Sequence, residues 1–504
     1  MLRSAIGKPA LLLYAFASLD GTPEAALRGW HRLDELWSAA RAAGAMTEPS
    51  LGESAPAHLP DLVAAEGEFR VVASARRGAP GRVRSMFAFV ENGVAGVIAA
   101  ISADRDGLEG WTDLADSWAD LARFDPDLLG VTAVLVGLSP DPDGVDRVGA
   151  AGRRISRAFG GHDNATQAGL GPGGSVVWRC TPTLEPRQVF TLAAPESAED
   201  LVDAWAWAAD GRQGLMPFTR YCLNLLRAGH QRRVHRGLRP LARLIADSDD
   251  ACGLLLRELG RDARRGLDTT ALVAADERLR QDQLATSGLV WRVTRILEMA
   301  ETVRTLRGNA RRHHPDEPHG MFAADDAELS RFIDELDREV VLLDAVNRRI
   351  EAVHTAASSA ITLAIGRRRE RLTLLQTSFL GALLMALAAI QSFQYTTPIG
   401  AGIKGPLIGA LSAAAFALPF LMVRWSGIVT HRDPYRWTDI VAAGFLGGTL
   451  GWLAATIAWT VTAERVAPHR ITAPAVTLGA AFLAWLTWYL LRRQRRIGRS
   501  TGSG

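Results

Sequence analysis

Three groups of residues carry side chains that could do chemistry. Cys180, Cys222 and Cys252 are the only thiols of the 504-residue chain. They are odd in number, far apart and without CxxC or Cys/His metal spacing, so they read as reduced, buried thiols of a cytosolic domain. Segment 160–175 holds six glycines together with His162, Asp163, Asn164 and Thr166. Backbone amides of such a loop can cradle a phosphate, but no G-x-G-x-x-G stands between a strand and a helix here, and a linker is favoured. The His162-Asp163 pair has no further His/Asp elements around it. Cys180 and His162 would make a nucleophile and base only if the fold brought them together. Segment 309–318 carries Arg311, Arg312, His313, His314, Asp316 and Glu317, with His319 beside it. Three imidazoles and two carboxylates suit a divalent metal. No helical spacing orients them, and Pro315 and Pro318 favour a solvated turn.

The reactions excluded are clearer. Lys8 and Lys404 are the only lysines, against 55 arginines. Pro9 follows the first and Gly405 the second, so neither completes a Walker A loop, and no soluble-domain lysine suits a kinase or pyridoxal site. G-x-S-x-G, H-E-x-x-H and S-x-x-K are absent. No catalytic residue, metal ligand or cofactor is assigned, and an enzyme is not expected.

The elements around these residues fall into unlike parts. Segments 9–17, 69–76, 85–90, 94–102, 131–136, 175–180 and 188–193 read as strands, with Glu91-Asn92-Gly93 as a hairpin signal. Helical periodicity marks 22–43, 110–122, 146–158 and 197–209. Strand, helix, hairpin, helix, strand predicts an α+β cytoplasmic N-terminal domain over 1–212, with a ferredoxin-like sandwich as one form. A helical region follows over 213–308, then a linker over 309–324. Segment 325–371 reads as a coiled-coil stalk helix, with Asp325 and Glu328 as a capping box. Ile333, Val340, Asn347, His354 and Ile361 take one heptad position, and Leu336, Leu343, Ile350, Ala357 and Ala364 the other. Asn347 and His354 are polar core positions that set register, and His354 is also a candidate pH-responsive group. Residues 269–306 are an antiparallel intrachain partner for this helix, and a homo-oligomeric coil is the alternative.

From Gly366 onward there are 15 basic and four acidic residues, which leaves 42 and 50 in the rest. The near-neutral total of +3 thus hides a C-terminal part of +11 and an acidic body of −8. Four apolar segments, about 372–393, 406–423, 440–461 and 471–491, lack Lys, Arg, Asp and Glu and are long enough to span a bilayer, as a four-helix transmembrane domain over 372–491. Arginines cluster before the first, between the second and third, and after the fourth in a basic tail over 492–504. The positive-inside rule then puts both termini of a multi-pass membrane protein in the cytoplasm. Gly405 and Gly409, with Gly444, Gly447, Gly448 and Gly451, are small residues at four-residue spacing that let helices pack closely, within one chain or between chains. No Lys, Arg, Asp, Glu or His and no filter motif lies inside the spans, so ion coupling is not expected.

Residues 218–236, FTRYCLNLLRAGHQRRVHR, make a helix with a basic face. Arg220, Arg227, Arg232 and Arg233, like Arg492, Arg493, Arg495 and Arg496 of the tail, are candidate contacts for a partner or anionic lipid. Nucleic acid is not expected beside a body of net −8. This helix, the opening LLLYAFASLDG, and WHRLDELWSAAR with MTEPSLG resemble the CATRA family, bacterial conflict-system proteins named for association with caspase-like proteases and TPR repeats. The long helix leading into LQTSFLGALLMALAAIQS is similar to its membrane-bearing members. The resemblance implies a role in sensing or executing a response to invasion, with caspase-like or TPR proteins and the lipid bilayer as partners and a membrane-damaging endpoint. The stalk-then-membrane layout also resembles CorA-like channels. Their Gly-Met-Asn signature is absent, since the chain reads SFQYTTP after the first span. The expectation is a non-enzymatic, membrane-anchored sensor or adaptor. A CorA-like channel and a membrane-tethered enzyme using the 160–175 loop are the alternatives.

Overall fold

The computed structural model describes residues 6–50, 53–61, 68–78, 82–162, 168–207, 214–238, 240–265, 269–284, 288–313, 320–395, 401–425, 436–463 and 467–500. Asp163, Asn164, Thr166, His314, Asp316, Glu317 and His319 lie outside them. The chain divides into two compact units, Met1–Ile245 with Gln283–Asn347, and Ala246–Asp282 with Arg348–Gly504.

The first unit is built on one sheet. Its strands are β1 (Gly7–Ser18), β2 (Arg70–Arg76), β3 (Arg84–Glu91), β4 (Val94–Ser102), β5 (Gly130–Ser139), β6 (Gly169–Leu170), β7 (Val176–Arg179) and β8 (Arg187–Pro195). They lie in the order β2-β3-β4-β1-β5-β8-β7-β6. The inner order β3-β4-β1-β5 is that of a split β-α-β-β-α-β unit, as the strand and helix sequence predicted. The sheet extends beyond it on both sides and is mixed, because β5 and β8 pair in parallel. The hairpin between β3 and β4 turns on Asn92 (φ 43) and Gly93 (φ 73), the two positive φ angles that a type I′ turn needs.

Both faces of the sheet are covered, where a two-layer sandwich would leave one open. Helices α1 (Pro23–Gly44), α2 (Gly107–Trp118) and α3 (Val145–Ile155) cover the face of Leu11, Leu13 and Ala15 with Trp30, Trp37, Trp111 and Val148. Helix α1 starts where the Thr22 hydroxyl accepts from the Ala25 amide at 3.3 Å, with Pro23 in the first turn. The opposite face, with Tyr14, Phe87 and Phe190, meets α4 (Glu199–Ala206) and α5 (Pro217–Gly237). There the Tyr14 hydroxyl donates to the Ala206 carbonyl at 2.8 Å, and the Phe190 and Phe218 rings lie 5.3 Å apart. Two-sided burial explains why β5 is buried at every position and reads as a continuous apolar run.

Helices α6 (Leu241–Arg265), α7 (Thr269–Leu284), α8 (Leu289–Arg312) and the 75-residue α9 (Met321–Tyr395) follow. Four of the five residues of one heptad row of α9, Leu336, Leu343, Ile350 and Ala357, are at most 1% exposed, and Ala364 is half-buried. Val340, Asn347, His354 and Ile361, on the other row, are half-buried. Segment 269–306, expected as one partner helix, is divided between two helices, α7 and α8.

In the second unit Asp249 of α6 pairs with Arg349 at 2.8 Å, and Asp276 of α7 holds His354 Nδ1 at 2.6 Å. Its C-terminal helices are α10 (Ala401–Trp425), α11 (Arg436–Ala463) and α12 (His469–Ser500). Ile440–Ala463 and His469–Tyr489 are long and apolar enough to cross a membrane; Phe379–Ser392 and Gly402–Ala417 are shorter apolar stretches. Two of the four expected spans therefore meet that measure among the described residues. A Cβ on Gly447 would collide with the Gly479 carbonyl, and one on Gly451 with the Ala475 carbonyl, so α11 and α12 touch backbone to backbone. Gly448 faces Ala480, Gly444 has Ala484 at 3.9 Å, and Gly405 and Gly409 face Trp452. All six glycines thus sit in contacts within the chain.

Candidate functional site

Helix α9 carries acids on the stripe that should be apolar. Phe322, Leu329, Phe332, Leu336 and Leu343 are buried at helical spacing, and Asp325 (2% exposed) and Glu339 (8%) stand in the same rows. Asp325 is not the cap that its position suggested. The helix begins earlier, at Met321, because Met321 and Phe322 pack inward. Gly320 (φ 59) leads into it against the Ala168 carbonyl, where a Cβ would not fit.

Around Asp325 three elements converge. Arg179 ends β7, and its guanidinium lies 4.7 Å from the Phe190 ring centroid and pairs with the Asp325 carboxylate. The Tyr221 hydroxyl, from α5, donates to the same carboxylate, and the Thr183 hydroxyl donates at 2.7 Å. Burial is the largest influence on Arg179 and lowers its pKa, but the Asp325 charge, joined by Tyr221, Cys222 and the hydrogen bond to Asp325, outweighs it and the value is raised. Burial, followed by the Asp325 charge, pushes Tyr221 well above its ordinary value, so its proton stays in place to be donated.

Glu339 is the second anchor. His235 Nε2 of α5 meets it at 2.7 Å and Arg292 Nε of α8 donates at 2.8 Å. Burial pushes its carboxyl up, but hydrogen bonds from His235 and Arg292 prevail and hold it below the usual range. Nearby Asp326 takes two-pronged contacts from Arg307 and Arg311, all at 2.7 Å. The Arg307 bonds, with Arg311 added, hold its carboxyl far below the usual range against a smaller burial effect. Arg232 meets Glu328 at 2.7 Å, and Arg304 meets Asp337 at 2.5 Å.

The basic face of α5 is largely turned inward on its own chain. Arg220 pairs with Glu91 at 2.9 Å and Arg227 with Asp20 at 3.8 Å. Arg233 donates to the Leu129 carbonyl at 2.7 Å and lies 5.2 Å from the Phe124 ring. Arg492, Arg493, Arg495 and Arg496 fall near the C-terminal end of α12. The candidate thiol is not poised for attack. The His162 amide donates to the Cys180 carbonyl at 2.6 Å, but burial pushes the Cys180 thiol above its ordinary pKa. Cys222 and Cys252 are shifted the same way, also by burial. No group of three or more His, Cys, Asp or Glu suited to a metal occurs among the described residues.

Periodicity missed Arg179, Tyr221, His235 and Arg292. The usable signal was on α9, where acids interrupt a buried stripe and so require buried cations. Chemically, such a constellation fixes register. Each ion pair is costly to bury and is recovered only when every partner is in place.

The fold and the site define a two-part assembly, a mixed α/β domain keyed by buried charges to a helical bundle. The chain belongs to the CATRA family. Residues 10–210 match the CASPASE and TPR Repeat-Associated N-terminal domain and 216–350 the C-terminal domain. Arg179 lies in the first matched region and Tyr221 and Asp325 in the second, so the buried site joins the two. No curated protein matches the chain. Among solved structures, the CorA magnesium transporter from Methanocaldococcus jannaschii is 10% identical, over 61% of this chain and 94% of that one, with a TM-score of 0.29. A likeness of that size supports no statement about ion transport.

Proposed function

We propose that the chain is a non-enzymatic, membrane-anchored component of a bacterial conflict system. Its CATRA region receives a signal or a protein partner, and α9 passes the change to the apolar C-terminal helices. One observation carries the reading: α9 bears both the buried acids that lock onto the α/β domain and, after Arg371, the first apolar stretch of the C-terminal part. The family's association with caspases and TPR repeats supports a partner of those kinds. The arginine clusters support four passes through the inner membrane, with both termini cytoplasmic. Self-association of the apolar helices would supply the membrane-perturbing step.

The test uses the full chain expressed with its neighbouring genes. Alkaline carbonate should leave it in the membrane pellet, and triggering should admit a membrane-impermeant dye. Release by carbonate, or a triggered culture whose membranes stay sealed, would sink the proposal.

A further inference from the structure

A cavity of about 350 Å³ opens beside α4 on the sheet face that α5 covers elsewhere. It exists because the floor there is small or aliphatic, with Leu12, Ala100 and Val136, and because α4 is only eight residues long. Trp207, which ends that helix, forms a wall and packs 5.8 Å from the Phe87 ring.

The rim is charged: Lys8, Arg82, Asp106, Glu199 and Asp203 line it. Lys8 has a left-handed backbone (φ 45) at the irregularity where β1 shifts register on β5. Its ammonium is already paired with Glu199. Arg82 is committed to the Ala103 carbonyl and lies 3.8 Å from Asp104. Asp106 stands at the N-cap of α2 without making the capping bond. Asp106 and Asp203 have no salt bridge or side-chain hydrogen bond among the described residues. Partial burial, with Glu199 and Asp200 adding, holds the Asp203 carboxyl above its usual range, and Lys8 does not offset them.

We propose that this cavity binds a small organic cation, an amine with an apolar body of up to about one ring. A rim carboxylate, Asp106 or Asp203, takes the ammonium, and the Trp207 wall and aliphatic floor take the body. An anion would meet three carboxylates on the rim, Asp106, Glu199 and Asp203, against two cations that already have partners, Lys8 and Arg82. A bare divalent cation would find too few oxygens above an apolar floor. The inference stands apart from the conflict-system reading, since binding requires only the first unit's geometry.

Calorimetric titration of the full chain in micelles tests it with benzylamine, benzyl alcohol and benzoate, which share one body. Benzylamine should bind saturably at one site, about tenfold tighter than the alcohol, as a charge-assisted contact requires. Asp106→Asn with Asp203→Asn should remove that margin and leave the alcohol unchanged. The comparison of ligands on the unaltered protein needs no variant to fold. Equal binding of amine and alcohol, tighter binding of benzoate, or uptake that never saturates, as in partition into micelles, would each overturn the proposal. So would a folded double variant that binds the amine as the unaltered protein does.

Discussion

Asp325 and Glu339 are 2% and 8% exposed in the first unit, whereas Phe445, Leu478 and Phe482 of the second are 57%, 70% and 60% exposed. The first unit hides charges and the second displays large apolar side chains. In water both are unfavourable. The first is offset by guanidinium and hydroxyl partners on β7, α5 and α8. The second becomes favourable when lipid is the solvent, because an outward Leu or Phe then loses nothing. The contacts differ to match. Helix α9 is held in the first unit by directional ion pairs, and α11 meets α12 through Gly447, Gly451 and Gly479, where only absent side chains allow the approach. The two regions therefore fail in different ways when altered.

The largest expected effect is at the buried anchor. Asp325→Ala strands the Arg179 guanidinium in an apolar site and should cost about 3–5 kcal/mol. Urea unfolding with hydrogen exchange on β7 and α5 amides reads this, and a loss under about 1 kcal/mol would show that the pair does not hold the helix. Replacing both partners, Arg179→Met with Asp325→Leu, should restore part of the loss, since an apolar pair carries no stranded charge but leaves the Tyr221 and Thr183 hydroxyls without their acceptor.

Next comes the glycine contact. Gly479→Leu should separate α11 from α12 and cost about 1–3 kcal/mol, read as thermal unfolding in micelles. Gly405→Ala, with Trp452 at 3.9 Å from the added carbon, should be nearly silent. Equal effects at the two positions would break the claim of backbone contact.

Acid should sharpen the contrast. Asp326 and Glu339 have folded pKa values below their ordinary 3.8 and 4.5. Their contribution is present above those ordinary values and is lost as pH falls through the lower folded ones. Stability of the first unit should therefore drop below about pH 4.5, near the free carboxyl range. Residues 444–451 and 475–483 contain no ionisable side chain, so the α11–α12 contact should not change. An acid titration in which the two regions unfold together would contradict this. The smallest effect belongs to Arg227→Ala. Its 3.8 Å contact with Asp20 is solvent-exposed, and the loss should stay within about 0.5 kcal/mol in the same urea assay.

Much of the secondary structure was legible. Seven of the eight strands followed from β-branched runs and turn signals, and β6 escaped because it is two residues long. The extent of helical covering was not legible, since a strand buried on both faces and a buried helix segment share the same apolar run. The site was harder still. Asp325 reads as a cap because caps are local, yet its partners Arg179 and Tyr221 lie 146 and 104 residues away. The glycine spacing identified close-packing surfaces but not Gly479, whose role depends on which helix lies opposite.

By itself the sequence determined the element order, the apolar C-terminal part, and the split of a +3 chain into a body of −8 and a tail region of +11. These are local properties, set by backbone periodicity and composition over a few turns. Only the tertiary structure decided that acids of α9 are buried, that much of the basic face of α5 is paired within the chain, and that Asp106 and Asp203 share one cavity rim. Such pairings depend on packing between distant segments, and the cost of burying a charge selects the few arrangements in which every partner arrives together.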